Sequence, residues 1–172
     1  LDVNGGEPTA SKNYKKILKE LPDNVKIVRM NTNGSRMIGE LEDVLKKNIM
    51  VIVTMSLDGI GDVHDYTRWP IKWDDYKKIV DAYLDLKKTY RLLQLDMWTT
   101  VSCLNVRKLP DIINYAGNKG IPHDWAFLDQ PSVLNVRYSN RFTTKAKHIS
   151  PEHIAVDKNN DQILEDFICR QD

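Results

Sequence analysis

Residues 49–55, Ile-Met-Val-Ile-Val-Thr-Met, form an uninterrupted apolar run that ends in Ser56-Leu57-Asp58-Gly59. Seven residues is strand length, and a run with no polar alternation is the pattern of a strand buried on both faces. Such a strand needs cover on each side, so this run restricts the chain to folds that wrap a central sheet.

The flanking sequence supplies that cover. Strand-like segments near 1–4, 25–30, 92–98 and 125–128 alternate with helical patterns. Tyr14, Ile17, Leu18 and Leu21 fall at helical spacing after Ser11, and Pro22-Asp23-Asn24 stops that helix. A short helix fits 38–47. Another is capped by Asp74 or Asp75 and carries Tyr76, Ile79, Val80, Tyr83, Leu84 and Leu86. A further helix fits 105–116, with Pro110 near its first turn. Residues 60–73 read as irregular. Beyond 131, an extended piece at 132–138, a helix opened by Ser150 and a helix over 161–169 are expected. The fold class is α/β with parallel strands, because right-handed crossovers are the default for β-α-β units.

Small or polar residues stand at the carboxyl end of each strand. The first is Asn4-Gly5-Gly6-Glu7-Pro8, then Asn31-Thr32-Asn33-Gly34, Ser56-Leu57-Asp58-Gly59 and Thr99-Thr100-Val101-Ser102. In a parallel sheet these gather on one rim, where open α/β sheets and barrels bind ligands. Adjacent glycines let backbone approach a ligand closely, and a carboxylate after them can receive a cationic group. Strand-to-helix turns also use Gly, Asn, Ser and Thr for their own geometry, so both readings stand for any one turn.

Composition narrows the function classes. The 172 residues carry 25 basic and 24 acidic side chains, a net charge of +1, which gives no overall basic footprint for nucleic acid. No apolar run is long enough to cross a membrane. Two cysteines, Cys103 and Cys169, make neither metal-ligand spacing nor a disulfide framework, which fits a reducing cytoplasmic setting. The chain opens at Leu1, inside a strand, so an N-terminal unit is expected to be missing from it.

Taken in order, Gly5-Gly6-Glu7-Pro8, Thr32-Asn33-Gly34, Ser56-Leu57-Asp58-Gly59 with Val63-His64-Asp65-Tyr66-Thr67-Arg68, and Thr100-Val101-Ser102 with Asn105 resemble the radical S-adenosylmethionine (SAM) superfamily. The resemblance implies a partial (β/α)6 barrel, here strands two to six over 1–131 without the first β/α unit. Residues 132–172 look like a truncated "twitch"-type auxiliary region. It also implies SAM and a 4Fe–4S cluster, reductive cleavage of SAM to a 5′-deoxyadenosyl radical, and hydrogen abstraction from a small-molecule or peptide substrate. An electron donor such as a flavodoxin or ferredoxin goes with that chemistry. By motif match, Gly5, Gly6 and Glu7 would hold the SAM amino group. Thr32 and Asn33 would face SAM or substrate, Ser56 would contact the SAM ribose or carboxylate, and Thr100 would face the substrate. The family's C-x3-C-x2-C cluster motif is absent. It is expected upstream of Leu1, and the alternative is a cluster-free SAM- or nucleotide-binding scaffold.

Other residues have plainer readings. His64, Asp65 and Arg68 suggest a hydrogen-bond knot after the third strand. Trp69, Pro70 and Trp73 suggest an apolar plug over a helix start. Lys12, Lys15, Lys16 and Lys19 suggest a solvated helix face. His123, His148 and His153 suggest surface or capping groups. Asp96 alternates with Leu95 and Met97 and is a candidate to face the barrel interior, where an ionised carboxylate needs a partner.

Overall fold

In the computed structural model the described residues are 1–3 and 5–136. The expected helices at 150 and 161–169, most of the auxiliary region, and His148, His153 and Cys169 lie outside them.

Five strands form one sheet in the order β1-β2-β3-β4-β5, every pair parallel. They are β1 (Asp2–Val3), β2 (Ile27–Thr32), β3 (Met50–Ser56), β4 (Leu93–Val101) and β5 (His123–Phe127). The helices are α1 (Lys12–Lys19), α2 (Leu41–Lys46), α3 (Asp62–Thr67), α4 (Trp73–Thr89) and α5 (Leu109–Asn118). The sequential order of parallel neighbours is the one the β-α alternation predicts.

The core lies on one side of the sheet. Val28, Met30, Val51, Val53, Met55, Leu93, Leu95 and Met97 share a single cluster with Leu18, Leu41, Val44, Tyr76, Val80, Tyr83, Ile112 and Ala116 from the helices. Fully burying each Val, Leu, Ile or Met side chain of this set stabilises the fold by about 1.5–3 kcal/mol. The alternate residues occupy the second face and are half-buried or exposed: Arg29 and Asn31 on β2, Ile52, Thr54 and Ser56 on β3, Gln94, Asp96, Trp98 and Thr100 on β4. This corrects the reading of 49–55 as buried on both faces. Among the described residues, β3 is tightly covered on one face only, and Ile52 and Thr54 remain half-buried.

Two local differences have clear causes. Residues 62–67, read as irregular, form α3. Their sequence, Asp-Val-His-Asp-Tyr-Thr, buries only His64 and so has no apolar stripe to signal a helix. The start of α4 is held not by Asp74 or Asp75 but by Asp65, whose Oδ1 accepts the Trp73 N–H at 2.6 Å. Asp65 is eight residues back in sequence, beyond the local spacing that a cap search uses.

Candidate functional site

The carboxyl edge of the sheet is built around Glu7. Its Oε1 accepts hydrogen bonds from the Thr9 N–H (3.1 Å), the Thr9 hydroxyl (2.8 Å) and the Thr32 hydroxyl (2.9 Å). Its Oε2 accepts the Asn33 N–H at 2.6 Å. One carboxylate therefore caps the 3-10 turn Pro8–Ala10 and clamps the loop after β1 to the end of β2. A carboxylate has about four acceptor positions. Three of the four bonds fall on Oε1, so a ligand cation would meet Oε2.

Gly5 and Gly6 stand next to this clamp with φ of +104° and +65°. A Cβ added at either would meet nothing within 4 Å. The backbone conformation requires glycine, and the space beside it is open for a ligand. Gly34 differs: a Cβ there would stand 2.5 Å from the Tyr76 ring, so that glycine serves packing.

Thr32 belongs to the helix-facing set of β2 and is 2% exposed. Its hydroxyl donates to Glu7 and accepts the Gly34 N–H at 3.2 Å, so it positions the clamp from beneath. The Asn33 Oδ1 accepts the Ser35 N–H at 2.9 Å. Ser56 is the last residue of β3, half-buried on the second face, and pairs in register with Trp98. Glu7, Thr32 and Asn33 are thus in direct contact. Ser56 and Thr100 follow one and two strands along the same edge.

The second half of the edge is organised by a residue that sequence reading did not single out. Asp58 accepts the Thr100 N–H on Oδ1 at 2.9 Å, and its Oδ2 pairs with Arg68 at 2.6 Å. Both side chains of the ion pair are largely sheltered, at 22% and 17% exposure. Asn105 closes the knot, its Nδ2 donating to the Asp58 carbonyl (3.0 Å) and the Thr100 carbonyl (2.9 Å). The Ser102 N–H donates to Asn105 Oδ1 at 2.7 Å. An acid just past one strand, a base ten residues on and an amide past the next strand were the signals available.

This changes the reading of the neighbouring groups. Arg68 bonds Asp58, and His64 takes no part in the knot. The His64 ring is fully buried, 5.3 Å from Trp73 and 4.7 Å from Tyr76 between ring centroids. Neither of its ring nitrogens has a well-formed hydrogen bond, although the nearby Gly59 backbone slightly favours the charged form. Burial first, then Arg68, lowers its pKa from 6.5 to about 4, so it is neutral at physiological pH. Trp73 joins this aromatic cluster, but Trp69 is 77% exposed and plugs nothing. His123 is half-buried, and its Nε2 lies 2.8 Å from the Thr99 hydroxyl. Because that hydroxyl donates to the Leu57 carbonyl, the imidazole acts as the donor to it.

The described residues do not fit an iron–sulfur cluster. No group of three or more His, Cys, Asp or Glu side chains among them could hold a metal ion. Cys103 lies half-buried with its thiol 3.8 Å from the Val133 carbonyl. Such clusters need several thiolates. SAM is different: the open Gly5-Gly6 backbone, the Glu7 carboxylate and the Ser56 hydroxyl offer the acceptors and donors that its ammonium, carboxylate and ribose require. Among the described residues no helix is long and apolar enough to cross a membrane.

A parallel sheet with outer helices and a glycine-acid clamp at its carboxyl edge defines an α/β protein whose clamp stands at the strand ends, the edge where open α/β sheets bind ligands. The radical SAM superfamily profile matches residues 3–99, more than half of the chain, and the protein belongs to that superfamily. The family is one of enzymes that use SAM and a 4Fe–4S cluster. Among solved structures, Streptococcus suis SuiB is similar, with a TM-score of 0.60 at 13% identity over 78% of this chain and 30% of that one. SuiB bound to S-adenosylmethionine gives 0.59 at 13% identity, over 78% and 31%. These likenesses concern the fold, and the chain spans less than one third of the length of either structure. No curated protein matches in sequence.

Proposed function

We propose that this chain is the SAM-holding core of a radical SAM enzyme, serving reductive cleavage of SAM to a 5′-deoxyadenosyl radical and hydrogen abstraction from a small-molecule or peptide substrate. The observation that carries the proposal is the Glu7 clamp beside the open Gly5-Gly6 backbone at the carboxyl edge. In this reading Gly5, Gly6 and Oε2 of Glu7 receive the SAM ammonium. The Asn33 amide and the Ser56 hydroxyl meet its carboxylate and ribose, and Thr32 holds Glu7 in place. Thr100 sits on the substrate side. The cluster ligands lie outside the described residues, so no step is assigned through the cluster. An electron donor of the flavodoxin or ferredoxin kind and a twitch-like region from 132 onward complete the reading.

A second reading has its own observation. With two cysteines in 172 residues, the chain as given cannot supply a three-cysteine triad. The alternative on the same clamp is a cluster-free SAM- or nucleotide-binding scaffold.

Calorimetric titration with SAM, followed by anaerobic reconstitution of the full-length protein with iron and sulfide, separates the two. SAM binding with 5′-deoxyadenosine formed under dithionite supports the enzyme. SAM binding without product supports the scaffold. Absence of SAM binding removes the enzyme and leaves the scaffold only as a nucleotide binder.

A further inference from the structure

The second face of the sheet carries a carboxylate that forms no ion pair among the described residues. Asp96 sits mid-strand on β4 between the buried Leu95 and Met97 and is half-buried on the opposite face. Burial, first, and the nearby Asp124 both raise its pKa, and Lys87 of α4 opposes them. Among the described residues no hydrogen-bond donor acts on it. Of the other charged residues on this face, Asp2 and Arg29 pair at 3.3 Å, and Asp124 stands beside Trp98 in register. Among the described residues of this face no cation stands in contact with Asp96.

Register places this carboxylate in a useful position. Thr54 is its direct partner on β3, and Asn31 is the partner of Thr54 on β2, so three polar side chains stand in one row. Two residues further along β4 on the same face is Trp98, 38% exposed and paired with Ser56. Two residues of strand span about 7 Å. Asp96 thus lies one short step below the row that contains the proposed SAM contact. An exposed indole beside a half-buried carboxylate is a combination that favours a cation, by charge and by the ring quadrupole.

We propose that Asp96, with Thr54 and Trp98, anchors a primary ammonium group of the substrate against the second face of the sheet. The inference rests on the SAM reading of the edge, which puts the substrate on this face. The anchor would bind the alkylammonium while leaving the neighbouring carbon chain directed toward the edge. Its Thr54 hydroxyl accepts one ammonium N–H, and the Asp96 carboxylate accepts another.

The test uses the chain with 13C-labelled aspartate carboxyls, n-butylammonium as the probe and n-butanol as its neutral isostere. Butylammonium is expected to move the Asp96 resonance saturably, with a dissociation constant of about millimolar order. It should bind at least about ten-fold more tightly than butanol. Asp96→Asn should abolish that preference while SAM affinity stays within two-fold, and the probe should bind with SAM present. Equal binding of butanol, an unmoved Asp96 resonance in the unsubstituted protein, or one-for-one competition with SAM overturns the proposal. Cation binding at Asp96 without SAM binding supports the anchor and removes the SAM reading of the edge.

Discussion

The Oε2 of Glu7 accepts the backbone N–H of Asn33 at 2.6 Å across 26 residues of sequence. The same side chain receives two threonine hydroxyls and a further N–H on its other oxygen. A residue that the motif assigns to a ligand is therefore also a structural clamp between β1 and β2. Glu7→Gln replaces one acceptor oxygen by an amide NH2, which must face a donor. If its oxygen stays at Oε1, the NH2 opposes the Asn33 N–H. The expected cost is about 1–3 kcal/mol, the price of a buried donor left without its acceptor. Thermal unfolding should show a Tm lower by several degrees, alongside weaker SAM binding. An unchanged Tm with weaker SAM binding would show that the clamp contributes little and the ligand role dominates.

The knot at Asp58 gives a second expectation. Asp58→Asn keeps the shape but removes the charge that meets Arg68 at 2.6 Å. Its single amide oxygen cannot serve both Arg68 and the Thr100 N–H. A loss of about 2–3 kcal/mol is expected, since bonds to charged groups are the stronger kind. Urea denaturation checks the stability. Faster amide exchange at Thr100 and across α3 would locate the damage, and protection unchanged at Thr100 would refute the assignment.

Much of the fold was legible from the chain, because strands and helices with apolar cores announce their period. The five strands appear where the alternation puts them, and the Gly-Gly-Glu and Ser-Leu-Asp-Gly turns do stand on one edge. What sequence could not show was the assignment of hydrogen bonds. Thr32 lies on the helix side because strand parity, counted from Val28 and Met30, puts it there, and that parity is fixed only once the true start of β2 is known. Proximity in sequence groups Arg68 with His64 and Asp65, yet its partner is Asp58, ten residues back. The bulk of Trp69 suggests a plug, and only the path of the chain shows that it faces solvent.

His64 makes stability depend on acidity. Its pKa is about 4 in the fold against 6.5 as a free side chain. Between these values the unfolded chain binds the proton and the fold does not, so its contribution is fully present above about pH 6.5 and is lost as pH falls toward 4. The loss amounts to about 3 kcal/mol at most. His64→Phe keeps an aromatic ring beside Trp73 and Tyr76 and removes two buried nitrogens that lack a well-formed hydrogen bond. Denaturation at pH 7.5 and pH 4.5 should show a smaller acid-induced loss in the variant. An identical acid dependence in both proteins would mean that other groups control it.

The glycines offer the sharpest separation of ligand roles from packing roles. Gly5 and Gly6 have positive φ but open surroundings, whereas Gly34, at φ +73°, abuts the Tyr76 ring and the Met55 methyl group. Alanine at Gly5 or Gly6 pays the backbone cost alone, about 1–2 kcal/mol. Alanine at Gly34 adds a steric clash, because its Cβ would lie 2.5 Å and 2.7 Å from two atoms of a fully buried tyrosine. That ring cannot move without disturbing Trp73 and His64, which pack against it. Gly34→Ala is therefore expected to cost more than about 3 kcal/mol. Ligand binding should rank the same variants in the opposite order. Gly6→Ala places a methyl group in the space proposed for SAM, so its affinity should fall by at least about ten-fold while most of the protein stays folded. Titration under conditions where each variant is fully folded removes the stability term. If Gly6→Ala binds SAM as tightly as the unsubstituted chain, the open space beside Gly5 and Gly6 is not where SAM sits.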